Sequence, residues 1–105
     1  MTHTATVALA TQEVLERAKR FFAERIPHVA AFVEREGPGF LVLRGQGGEE
    51  VVFSVRADGG PRGAGGGGGG GGGGLTQVRA STLFFDQAVD RFFSTLPLAS
   101  GVVVA

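Results

Sequence analysis

Glu49-Glu50-Val51-Val52-Phe53-Ser54-Val55-Arg56-Ala57 is the stretch that decides the architecture. Val51, Phe53, Val55 and Ala57 alternate with Glu50, Val52, Ser54 and Arg56. A period of two belongs to a strand with one face buried and the other wet. Turn formers flank it, with Gly45-Gln46-Gly47-Gly48 before and Asp58-Gly59 after. Upstream, Phe40 to Arg44 reads as a second strand, reached through the turn Glu36-Gly37-Pro38-Gly39. His28 to Glu36 reads as a third, with Val29, Ala31 and Val33 on one face. Downstream, Leu75 to Ser81 resumes the alternation through Thr76, Val78 and Ala80. Connections this short join antiparallel strands.

Two helical patterns and one further strand frame this run. Residues 3–9 alternate, with His3, Ala5, Val7 and Leu9 on one side and Thr4, Thr6 and Ala8 on the other. Thr11 then suits a helix N-cap. From Gln12 to Ile26 the residues Val14, Leu15, Ala18, Phe21, Phe22 and Ile26 recur at helical spacing until Pro27. Glu13 with Arg17 and Glu16 with Arg20 are acid-before-base pairs on the opposite face. A second helix is predicted over Thr82 to Leu96, with Phe85, Ala88, Val89, Phe92 and Leu96 as its stripe and Pro97 as its stop.

The fold expected from this order is α+β: a single antiparallel sheet of about five strands with two helices packed on one face, β-α-β-β-β-β-α. The 105 residues hold apolar mass for one core, so 1–105 is read as a single domain. Nineteen residues are glycine, and ten of them form the run Gly65 to Gly74. They show no three-residue period, which excludes collagen. Residues 59–74 are a Gly-rich insert in one hairpin, the place where lengthening costs least. A tract without side chains is expected to be flexible there. Residues 97–105 are an apolar, uncharged C-terminal tail.

Composition excludes several classes of function. Ten basic residues balance ten acidic ones, so the basic excess of a nucleic-acid binder is missing. There is no cysteine, hence no disulfide, thiolate nucleophile or Cys-ligated metal. The Met-Thr-His-Thr-Ala-Thr start has no signal-peptide pattern, and no segment approaches the ~20 apolar residues that span a bilayer. A soluble, cytoplasmic chain is expected, with near-zero charge favouring self-association as a homo-oligomer.

Chemistry-bearing residues are sparse. His3 and His28 are the two histidines, and no compact set of carboxylates joins them into a metal motif. Asp86 and Asp90 stand one helical turn apart beside Arg91, which reads as a solvated helix face. Ser54, Ser81, Ser94 and Ser100 lack a nucleophile-elbow context. The glycine run leads into a strand rather than a helix and carries no Gly-Lys-Ser/Thr, so it is not a phosphate loop. No catalytic residue, cofactor site or metal site is assigned, and the chain is read as not an enzyme.

Nine phenylalanines without Tyr or Trp are the distinctive set. Most are expected in the core. One of each adjacent pair, together with Leu98 and the Val102-Val103-Val104 tail, is expected to face a partner or an apolar ligand. The candidate interface is Phe84, Phe93, Leu98, Val102, Val103 and Val104. This supports a non-catalytic interaction module: an accessory or structural subunit docked on other protein subunits of a larger assembly, a peripheral part of a membrane complex included.

The segments Val7-Ala8-Leu9 into Glu13-Val14-Leu15-Glu16-Arg17-Ala18, and Phe85-Asp86-Gln87-Ala88-Val89-Asp90-Arg91-Phe92-Phe93, carry a resemblance in layout. The chain resembles a reduced helix-grip (START/Bet v1-like) domain, shorter than the full layout. The resemblance implies an alternative function, binding of a small apolar ligand between helix and sheet. It assigns no residue.

Overall fold

A computed structural model of the chain describes residues 1–24, 31–58 and 74–105. Pro27, His28, the expected start of the second strand and insert residues 59–73 lie outside them. In chain order the elements are β1 (Thr2–Val7), α1 (Thr11–Glu24), β2 (Phe32–Gly37), β3 (Phe40–Arg44), β4 (Glu50–Ala57), β5 (Thr76–Thr82), α2 (Asp86–Phe93) and β6 (Val103–Val104). The strands form one antiparallel sheet in the order β2-β3-β4-β5-β1-β6. The expected α+β class is therefore present, with six strands among the described residues in place of about five.

The sixth strand comes from the apolar tail. Leu98 bridges Val7, the Ala99 N–H donates to Thr6 O at 2.8 Å, and Val103 and Val104 pair with Thr4 and His3. Ala105 and Thr2 exchange backbone bonds of 2.9 and 3.1 Å. Residues 92–105 carry no charged side chain to oppose this docking. The tail thus satisfies backbone groups that β1 would otherwise expose.

Alternation places one side of every central strand under the helices. His3, Ala5 and Val7 of β1, Leu41 and Leu43 of β3, Val51, Phe53 and Val55 of β4, and Val78 and Ala80 of β5 are buried there. Helix α1 lies against β2, β3 and β4, whereas α2 sits over β1. Val14, Leu15, Ala18, Phe21 and Phe22 from α1 meet Val89, Phe92 and Phe93 from α2 in the same core cluster. Phe22 is the aromatic hub, with ring centroids 5.4 Å from Phe21, 5.7 Å from Phe53 and 5.8 Å from Phe85. Six of the nine phenylalanines are buried, and Phe32, Phe40 and Phe84 are exposed.

Helix α2 is shorter than its periodicity predicts. It begins at Asp86 instead of Thr82, because Thr82 completes β5 opposite Val51. The Thr82 hydroxyl accepts from the Phe85 N–H at 3.0 Å and the Phe84 N–H at 3.3 Å. This bends the chain from sheet to helix within three residues. Turns through Thr95 and Leu96 follow Phe93, and Pro97 O then accepts from the Ala8 N–H.

The far side of the sheet is open. Thr2, Thr4 and Thr6 on β1, Gln77, Arg79 and Ser81 on β5, Glu50, Val52, Ser54 and Arg56 on β4, and Phe40, Val42 and Arg44 on β3 share it by register. Edge strand β2 carries Glu34 in a bulge and Arg35 beside it, which guards that edge against further pairing.

Candidate functional site

The tight passage from β5 to α2 leaves two large apolar side chains in solvent. Leu83 is 82% and Phe84 73% exposed, whereas the next residue, Phe85, is buried. Three consecutive apolar residues cannot all reach one core across a strand-to-helix corner. The Thr82 hydroxyl fixes the backbone of this ledge through its two accepted hydrogen bonds. A groove of about 470 Å³ runs from the ledge onto the open face, bordered by Thr2, Arg44, Glu50, Val52 and Ser81.

The polar wall of that groove is already paired. Arg44 donates through Nε to Glu34 at 3.0 Å, through Nη1 to Gly48 O at 2.9 Å and through Nη2 to Glu50 at 3.0 Å. Gly48 adopts a φ of 93°, which lets the turn present its carbonyl to Arg44. The Arg44 charge is spent inside the chain, Glu49 on the same border accepts from the Gly47 N–H without an ion pair among the described residues, and Leu83 and Phe84 are the groove's exposed apolar groups.

Further along the same face the charge balance reverses. Arg56 and Arg79 stand on neighbouring strands, Ser54 lying opposite Arg79 and Gln77 opposite Arg56. Arg56 Nε donates to Gln77 Oε1 at 2.9 Å. A second shallow groove of about 470 Å³ lies among Ser54, Arg56, Gln77, Arg79 and Ser81. Ser81 borders both grooves, so the two form one track along β4 and β5.

The residues expected at an interface separate into two groups and one exception. Phe84 lies at the end of the sheet where Thr2 pairs with Ser81 and Ala105. Leu98, Val103 and Val104 are 41%, 64% and 46% exposed along the sheet edge, and Val102 packs partly against the core. Phe93 is different: it is fully buried, edge-on to Phe92 and His3, because α2 turns it toward β1. It cannot face a partner. Leu83, Arg56 and Arg79 were not among the expected residues. For Leu83 the sequence signal is the run Leu83-Phe84-Phe85 at the corner, which helical spacing extended back to Thr82 conceals.

His3 and Asp86 form a part-buried polar contact between β1 and α2. His3 Nε2 donates to Asp86 Oδ1 at 2.9 Å, and the N-terminal ammonium lies 3.3 Å from the same oxygen. The His3 hydrogen bond first, and then the ammonium, hold the Asp86 carboxyl below the usual carboxylate range. Asp86 thereby keeps a negative charge in the first turn of α2, at the positive end of the helix dipole. Among the described residues no group of three potential ligands could hold a metal, and His28 lies outside them. Among the described residues, too, no helix is long and apolar enough to cross a membrane.

Comparison with protein-family models, with curated proteins and with solved structures gives no match to this chain.

Proposed function

We propose that the chain is a non-catalytic interaction module, a small accessory or structural subunit that docks on another protein through its open sheet face and the Leu83–Phe84 ledge. The observation that carries this reading is the adjacent pair at 82% and 73% exposure on a hydrogen-bonded corner beside a groove. Isolated exposed apolar residues are ordinary, but a fixed aromatic–aliphatic pair at a groove mouth is how interface anchors are presented. Burying each side chain contributes about 1.5–3 kcal/mol. Association itself costs about 4–15 kcal/mol. The ledge supplies at most about 6 kcal/mol, which covers only the low end of that cost, so a stable complex also engages the face beside it.

The helix-grip alternative, an apolar ligand between helix and sheet, draws no comparable support. Phe22, Phe53, Phe92 and Phe93 fill that space, each almost completely buried.

The test replaces both anchors by serine in the chain expressed in its native cells. Because Leu83 and Phe84 are mostly exposed, stability should change by no more than about 0.5 kcal/mol for each. The wild-type chain is expected to purify in a stoichiometric complex that the double variant loses. A wild-type chain that runs as a free monomer in native extract, or a double variant that keeps its partner, would overturn the proposal.

A further inference from the structure

Arg56 and Arg79 are cations without a carboxylate. Neither makes an ion pair with any described residue. The undescribed stretches 25–30 and 59–73 contain no Asp or Glu to supply one. Asp58, two positions beyond Arg56, makes no ion pair with it. Arg44 is the contrast on the same face, held by both Glu34 and Glu50. Gln77 takes the Arg56 Nε–H and so orients the guanidinium, leaving the Nη N–H groups for a ligand.

Resting on the docking role proposed above, we infer that the open face recognises an acidic, extended peptide segment of the partner: two carboxylates on Arg56 and Arg79, and an apolar end against Leu83 and Phe84. The spacing supports this occupant. Arg79 and Arg56 are diagonal neighbours across the β4–β5 ladder, roughly 7 Å apart. Carboxylates at alternate positions of an extended peptide are also separated by about 7 Å. Arg79 and Leu83 are four positions apart, at most roughly 14 Å of extended chain, with β5 ending at Thr82, so the apolar end follows within about four residues of the nearer carboxylate.

Ser54 and Thr4 flank Arg79, and the surface from there to the ledge presents Ser81 with Thr2 and Val52 on either side. A single-stranded nucleic acid would call for aromatic stacking platforms between the cations, and this stretch carries hydroxyls instead. The balanced net charge of the chain also lacks the long-range attraction that a polyanion exploits.

Fluorescein-labelled peptides test the assignment with the full chain. Each carries Phe-Leu at one end and Glu-Thr-Glu beginning four residues on, in both chain directions, beside analogues with Gln for Glu. One Glu peptide is expected to bind at least tenfold more tightly than its Gln analogue at 50 mM salt. That advantage is expected to vanish in R56A/R79A and to shrink at 500 mM salt. Equal binding of the Gln analogue, unchanged binding by R56A/R79A, or no binding of either Glu peptide at 1 mM overturns the acidic partner. So does tighter binding of a single-stranded oligonucleotide or inorganic phosphate through the same arginines. Loss of the Glu preference while L83S/F84S still weakens every peptide would leave the docking role standing. Peptide binding indifferent to L83S/F84S would remove the docking role through the ledge.

Discussion

His3 Nε2 donates to Asp86 Oδ1 at 2.9 Å across 83 positions of the chain. The bond ties the first strand to the first turn of α2, at the end of the sheet where the exposed ledge leaves β5. The His3 side chain is almost fully buried and that of Asp86 is one-third exposed, so the carboxylate keeps part of its hydration while its donor is enclosed. A charged acceptor bonded to an enclosed donor is stronger than a neutral pair. The position of Leu83 and Phe84 therefore depends on two anchors, the Thr82 hydroxyl on one side and Asp86 on the other.

Asp86→Asn tests the second anchor through its pH dependence. The Asp86 carboxyl is held below its ordinary range by the His3 hydrogen bond and then by the N-terminal ammonium. A carboxyl with a lowered folded pKa contributes stability that is complete above the unfolded value and lost as pH falls through the folded one. The variant is expected to melt at lower temperature than wild type at pH 7. The gap should narrow as pH drops from about 5 toward about 2. Thermal melts followed by circular dichroism across that range decide it. A gap independent of pH would mean that the carboxylate charge contributes nothing.

Phe22→Ala tests whether the aromatic hub holds both helices to the sheet. Phe22 is fully buried, and its ring meets Phe21, Phe53, Phe85 and Phe92. Removing such a ring costs about 3–5 kcal/mol. A domain of this size is stabilised by about 5–15 kcal/mol, so the variant should sit near the edge of folding. Phe22→Leu keeps most of the volume and is expected to unfold cooperatively at a moderately lower urea midpoint. Equal midpoints for Phe22→Ala and wild type would show that the cluster is not the core.

Most of this architecture was legible from residues 49–57 outward, because each hairpin is marked by glycine at its turn and a period of two on its strands. Two features were hidden, each for a physical reason. Val102-Val103-Val104 reads as an apolar tail because a two-residue strand has no period to detect, and its partner lies at the far end of the chain. The start of α2 is hidden because Thr82 belongs to a strand and a turn at once, and helical spacing from Phe85 extrapolates back through it. At the candidate site Phe84 was visible as one of a pair of phenylalanines, but helical phase alone could not tell it from Phe93. Arg56 and Arg79 look like ordinary wet-face residues until the β4–β5 register makes them neighbours.

Deleting residues 98–105 tests the role of β6 as a cover for β1. The segment supplies the Leu98 bridge, the Ala99–Thr6 bond and both Ala105–Thr2 bonds. Each such bond contributes about 0.5–1.5 kcal/mol net of water. The truncated chain is expected to lose roughly 2 kcal/mol or more of stability by urea denaturation. Its β1 edge, which has no charged side chain from Thr2 to Val7, should then pair between copies. Light scattering after size exclusion should show association that grows with concentration. A truncated chain that stays monomeric with wild-type stability would assign the tail no structural part.

Removing Gly65 to Gly74 tests whether the fold requires the insert. The β4–β5 ladder closes at the bond from the Asp58 N–H to Leu75 O, 2.8 Å, immediately on either side of residues 59–74. The register therefore runs to the last pair, Ala57 with Thr76, and is set by the strands themselves. Closure entropy depends on the logarithm of loop length, so shortening this connection from about 16 to about 6 residues should raise stability by about 0.9 kcal/mol. Six residues remain ample for a hairpin loop built on Asp58-Gly59 and Pro61. Urea denaturation of the shortened chain is expected to give an unchanged m-value and a slightly higher midpoint, since the surface exposed on unfolding is nearly the same. A clear loss of stability would show instead that the glycines contribute contacts to the folded domain, and that their place in the hairpin is structural.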